Sequence, residues 1–89
     1  MSPTIVALQE HLETVRQVEL ERIRRRQLSF RPEQQDAIEE LTRGIVTRVL
    51  NTTAKVLECA PDDKEHAALL NMVHRIFNLS DEPAGGTNN

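Results

Sequence analysis

Tryptophan and tyrosine are missing from this 89-residue chain, and phenylalanine occurs twice, at Phe30 and Phe77. A core must therefore be built from Leu, Ile and Val, the usual filling of helix–helix seams. Base stacking on aromatic side chains, the main device of single-strand nucleic-acid binding, is largely excluded. Cys59 is the single cysteine, which excludes an intrachain disulfide and fits a reducing compartment. No run approaches the roughly 18 consecutive apolar residues of a membrane helix. The opening residues MSPTIVALQEHL lack a basic segment ahead of an apolar run, so no signal peptide is expected. Glycine-rich phosphate loops and metal-ligand clusters are lacking too. The net charge of −3 argues against a general nucleic-acid binder, which would be basic.

What remains is helical patterning. The strongest signal runs from Phe30 to Leu50, FRPEQQDAIEELTRGIVTRVL. Pro32 suits the first helical position, where a missing N–H is no loss. Glu33 and Asp36 precede Arg43 and Arg48, the charge order that a helix dipole favours. Ile38, Leu41, Ile45 and Val49 recur at spacings of three and four and share a face, which Val46 and Leu50 widen. A stripe this wide asks for more than one neighbouring helix. Gly44 lies inside this helix at a cost of about 1 kcal/mol against alanine. A close helix crossing and simple tolerance both account for it.

Ahead of it, Ser2 and Pro3 read as cap and first residue of a long helix to about residue 27. Ile5, Leu8, Leu12 and Val15 keep a 3-4-3 rhythm. The stripe then moves to Val18, Leu20 and Ile23, by drift of a straight helix against that rhythm or by a change of partner. The link Leu28–Arg31 is short, which favours antiparallel neighbours. Ser29 or Arg31 must close the second helix, and Arg31 is a poor cap. Asn51-Thr52-Thr53 lowers helical propensity, so the second helix is expected to stop near residue 52. Ala54–Pro61 then reads as a connection with room for a partial turn. Pro61 opens a third helix, over about 62–78, with Asp62, Asp63 and Glu65 in its first turn. Its apolar face is Leu69, Leu70, Val73, Ile76 and Phe77. The tail SDEPAGGTNN, residues 80–89, is polar and is expected to be disordered. The fold class is thus all-α: one three-helix domain over 1–79 with a long first helix.

Reactive side chains are few and badly placed for chemistry. Glu58, Asp62 and Asp63 surround Cys59, an acidic setting that suits an inert thiol rather than a nucleophile. His66 and His74 are two helical turns apart, about 12 Å, too far to share one metal. His11 is on another helix. Arg22, Arg24, Arg25, Arg26 and Arg31 make the one basic run, with six basic and four acidic side chains in the first 31 residues. A solvated, cationic helix end is the simpler reading; a phosphate contact is the sharper one.

Three segments resemble the C-terminal dimerisation domain of glutamyl-tRNA reductase. PTIVALQEHLETVRQVELERI, Pro3 to Ile23, resembles the end of that family's long spinal helix, with its P-T-I start and later E-L-E-R. RPEQQDAIEELTRGIVTRVLNTT, Arg31 to Thr53, is similar to the signature S-P-E-Q…I-E-x-L-T-x-x-I-V-x-K-L-L-H-x-P. VHRIFNL, Val73 to Leu79, looks like the terminal L-R-x-L-F-x-L. Arg31 stands where the family has a capping Ser, Gly44 where it has Ser or another small residue, and Arg48 where it has Lys. Asn51-Thr52-Thr53 replaces the His-x-Pro ending.

The resemblance implies a homodimerisation module that pairs into a six-helix bundle. Its interface would include Leu8, Leu12, Val15, Ile38, Leu41, Ile45 and Val49. It also implies an oxidoreductase beyond this segment. That enzyme uses NADPH to reduce the glutamyl group on its tRNA to glutamate-1-semialdehyde, at the entry to tetrapyrrole (haem, chlorophyll) synthesis. The family's catalytic cysteine and NADPH site belong to other domains, and Cys59 does not match that cysteine. The expectation is therefore a separated piece of the enzyme with no catalytic, cofactor or metal residues of its own. It would reach glutamyl-tRNA through the full-length protein, in the cytoplasm or, in a plant, the plastid. A small RNA-contacting module using Arg22–Arg31 and a free-standing protein adaptor are the competing readings.

Overall fold

The computed structural model describes residues 2–26 and 29–79. They form three helices: α1, Pro3–Arg25; α2, Pro32–Glu58; and α3, Asp63–Ile76. There is no strand among the described residues. Each boundary has a local cause. The Ser2 hydroxyl accepts the Ile5 N–H at 3.1 Å and caps α1, with Pro3 following it. At the other end, the Arg26 N–H closes onto the Ile23 carbonyl at 3.1 Å. The helix thus stops at Arg25, two residues before the expected end, and Gln27 lies outside the described residues. Arg31 occupies the N-cap of α2. Its backbone N–H donates to the Gln34 side-chain carbonyl at 2.9 Å, which is half of a capping box.

α2 corrects the expectation of a helix ending near residue 52. It continues to Glu58, a run of 27 residues and about 40 Å long. Two contacts accompany it past the weak Asn51-Thr52-Thr53 segment. The Thr53 hydroxyl donates back to the Val49 carbonyl at 2.8 Å, which satisfies the hydroxyl inside the helix without adding to its stability. Leu57 is buried to 5% exposure, so packing holds the last turn where propensity alone would release it. The link to α3 shortens to four residues, 59–62.

α3 begins one residue later than expected. Asp62 is its cap and not its second residue, with Oδ1 accepting the Glu65 N–H at 2.8 Å, and Pro61 precedes it. The helix ends at Ile76 and not residue 78. Asn78 turns left-handed, φ 54°, and the Leu79 N–H returns to the His74 carbonyl at 2.9 Å. This is the Schellman closure, and asparagine tolerates the αL position it needs. The tail expected to be disordered, residues 80–89, lies outside the described residues.

α1 and α2 run antiparallel. Ile5 and Gln9 lie beside Ala54 and Leu57 at one end of the hairpin, and Leu20 and Ile23 beside Gln35 and Ile38 at the other. α3 packs on α2 and returns to the start of α1, where the Thr4 hydroxyl and His74 Nε2 are hydrogen-bonded at 3.0 Å. The apolar side chains buried among the described residues are Ile5, Leu8 and Leu57, of which Leu8 alone is fully enclosed, and α3 buries none. The radius of gyration is 16.2 Å, against roughly 11–12 Å for a compact chain of this size. The three helices therefore leave much of their apolar surface open.

Leu57→Ala tests the extra turn and a half of α2. With so small a core, the truncation should cost about 2–5 kcal/mol. Urea unfolding followed by far-ultraviolet circular dichroism should show that loss. An unchanged midpoint would mean the last turn of α2 is not held by Leu57.

Candidate association surface

The exposed apolar side chains gather on particular faces. On α2, Leu41 is 64% exposed, Ile45 56% and Val56 50%. At about 100° per residue, these three and Thr52 fall within an arc of about 60°. On α3, Met72 and Ile76 are more than half exposed and one turn apart. On α1, Val15 and Val18 are exposed and adjacent on the helix surface. Isolated exposed apolar residues are ordinary, but aligned ones on neighbouring turns mark a surface made to be covered.

The seven residues expected at an interface divide into three groups. Leu41, Ile45 and Val15 are exposed, while Leu12, Ile38 and Val49 are half-buried. Leu8 has no exposed surface and sits in the core of its own chain. Val56 and Met72 were not singled out from the sequence. Val56 fell in the segment read as a connection, yet it continues the Leu41–Ile45 stripe by helical arithmetic once α2 is extended.

Behind this surface is a polar clamp that the periodicity concealed. Arg16 is 5% exposed. Its Nε and one terminal nitrogen donate to the two oxygens of Glu13 at 3.0 and 2.7 Å. The other terminal nitrogen donates across to α2, to Glu39 Oε1 at 2.9 Å and the Thr42 hydroxyl at 3.2 Å. Thr42 in turn donates to carbonyls of its own helix, at Ile38 and Glu39. A buried guanidinium is tolerated only when charge-paired and hydrogen-bonded, and this one is tied to α1 and α2 together. The signal was present: Arg16 lies four residues after Leu12 and eight after Leu8, on the face those leucines bury.

The clamp acts on titration. Hydrogen bonding from Arg16, and then from Gln17, holds the Glu13 carboxyl down to about 2 from its ordinary 4.5. The same pairing with Glu13, and then with Glu39, raises Arg16 further above its usual value, so it stays charged.

The other candidates lack a reactive arrangement. Cys59 is exposed at the C-cap of α2. Among the described residues there is no group of three or more His, Cys, Asp or Glu side chains able to hold a metal, and no helix is long and apolar enough to cross a membrane. The basic run is largely answered within α1. Arg22 pairs with Glu19, Arg24 with Glu21, and Arg25 with Glu21 at 3.5 Å. That neutralisation favours the solvated helix end over a phosphate site.

Comparisons with known proteins agree with one another. Residues 1–79 match the family described as glutamyl-tRNA(Glu) reductase, dimerisation domain. The chain is 45% identical over 80 residues to glutamyl-tRNA reductase 2 of Koribacter versatilis, covering 90% of this chain and 18% of that protein. It is 36% identical over 81 residues to the glutamyl-tRNA reductase of Solibacter usitatus, covering 91% and 19%. It is 34% identical over 85 residues to that of Trichodesmium erythraeum, covering 94% and 20%. The chain thus spans about a fifth of the length of these relatives. No solved structure matches it.

Acid titration tests the clamp. A carboxyl held low in the folded chain stabilises it at every pH above the ordinary value, and that contribution fades as pH falls. For Glu13 the window runs from 4.5 down to about 2. Stability of the unaltered chain should fall more steeply across this window than that of Glu13→Gln, measured by urea midpoints at each pH. Parallel curves would show that Glu13 is not held by Arg16.

Proposed function

We propose, for a chain that belongs to the glutamyl-tRNA reductase dimerisation-domain family, that its three helices pair with those of a second copy into a six-helix bundle. The observation that supports this most strongly is the mismatch between core and surface. Three apolar side chains are buried among the described residues, whereas Leu41, Ile45, Val56, Met72 and Ile76 are each at least half exposed on α2 and α3. Burying a Leu or Ile side chain stabilises by about 1.5–3 kcal/mol, and in a two-fold dimer each such residue counts twice.

In this reading the chain holds two reductase subunits together. The whole protein would be an oxidoreductase of porphyrin biosynthesis, reducing the glutamyl group of glutamyl-tRNA with NADPH, in a reducing compartment such as the cytoplasm or a plastid. The residues described here do not fit a dinucleotide. They include no strand, and Gly44, the one glycine among them, sits inside α2 rather than in a phosphate-binding turn. No reduction step is assigned to them.

Sedimentation equilibrium is the direct test. The unaltered chain should be dimeric at about 100 μM, a concentration that populates even weak dimers. Ile45→Asp should weaken association at least about 100-fold, because it would bury two unpaired carboxylates. It should leave the helical spectrum of the monomer largely intact, since Ile45 is 56% exposed there. Arg25→Ala should leave the dimer unchanged. A monomeric unaltered chain at that concentration would overturn the proposal.

A further inference from the structure

Gly44 is close to the middle of α2. A Cβ placed on it would meet no atom within 4 Å among the described residues, so neither α1 nor α3 crosses closely there. The close approach that a mid-helix glycine permits is left for something outside the chain. Leu41 and Ile45, both more than half exposed, adjoin Gly44 on the helix surface, one turn before it and one residue after. With Arg48 they outline the four-residue patch at which a helix crossing is centred.

The charges around this patch are arranged symmetrically about it. Glu40 lies four residues before Gly44 and Arg48 four residues after. Both are exposed, and neither makes an ion pair with another described residue, unlike Arg16, Arg22, Arg24, Arg25, Arg31 and Arg43. Glu33 and Lys55 repeat the order eleven residues out on either side, although Glu33 already pairs with Arg31 of its own chain at 3.4 Å. A helix meeting an antiparallel copy of itself about a two-fold axis sets each residue before the axis against one equally far after it. With the axis at Gly44, acid faces base on both sides. A parallel crossing would set Glu40 on Glu40 and Arg48 on Arg48, like charge on like.

We infer that α2 crosses the α2 of a second copy antiparallel at Gly44. The bare backbone of each helix seats the exposed Leu41 and Ile45 side chains of the other, and Glu40 of each chain faces Arg48 of its partner. This rests on the dimer proposed above and adds its centre, direction and registry. Glu40 and Arg48 are about 12 Å apart along their own helix, too far for a direct ion pair within one chain.

The experiment exploits that separation. Glu40→Arg and Arg48→Glu are made singly in the whole chain, and dissociation constants are measured by sedimentation at low salt, with circular dichroism to verify folding. Each single variant should dissociate about tenfold more readily than the unaltered chain, since like charges then meet at the crossing. An equimolar mixture of the two should associate within about threefold of the unaltered chain, because every facing pair is again opposite in sign. The double variant should recover in the same way. Gly44→Leu should give a more helical monomer. If the unaltered chain dimerises but the mixture associates no better than its components, or Gly44→Leu stays dimeric, the crossing is overturned and dimerisation stands. If the unaltered chain is monomeric at about 100 μM, both fall together.

Discussion

The shortage of buried apolar surface governs this protein. Among the described residues its three helices bury only Ile5, Leu8 and Leu57 of the apolar side chains, far less than a domain with α2 alone spanning 27 residues would use to offset the conformational entropy of ordering it. Small helical proteins answer such a deficit with disulfides, metals or partners. A disulfide is closed to a chain with one cysteine, and the described residues hold no metal cluster. The proposed second copy would supply that surface on the exposed faces of α2 and α3.

Arg16 makes the hairpin possible despite that deficit. In place of another leucine, the α1 seam carries a guanidinium bonded at once to Glu13 on its own helix and to Glu39 and Thr42 on the next. Such a group has directional demands that a leucine lacks. It fixes how far α1 slides along α2, and it penalises any arrangement that strands the charge. Specificity of register is the well-attested benefit of a buried polar group. Here it steadies the scaffold on which the α2 stripe is displayed.

Most of the architecture was legible in the sequence because it is written in local chemistry. Ser2-Pro3 and Arg31-Pro32 marked helix starts, and spacings of three and four marked the faces. The misreadings have separate physical causes. Asn51-Thr52-Thr53 looks like a stop until the Thr53 hydroxyl turns back to Val49 and Leu57 finds a buried site. Asp62 was counted as part of α3 because an acidic first turn and an acidic cap look alike in one dimension. Arg16 was passed over because apolar periodicity does not register a charged residue whose partner is 23 positions away. At the surface, periodicity identified Leu41 and Ile45 correctly as lying on one face. It could not tell them from Leu8, which the chain covers by itself.

The same helix, α2, both joins α1 to α3 and displays the largest uncovered stripe. In the proposed dimer, pairing would therefore add to the stability of the folded hairpin. A chain whose central helix is completed by another molecule has no single melting temperature. In the proposed dimer the midpoint of unfolding would climb with the amount of protein in solution, as mass action on the covered state requires. Each tenfold dilution withdraws about 1.4 kcal/mol per mole of dimer, a sizeable share of the 5–15 kcal/mol that holds an ordinary domain together. Abundance would then become a structural variable: a chain made in small amounts, or released from its neighbour, would meet the cell as a less stable protein than the same chain made in excess.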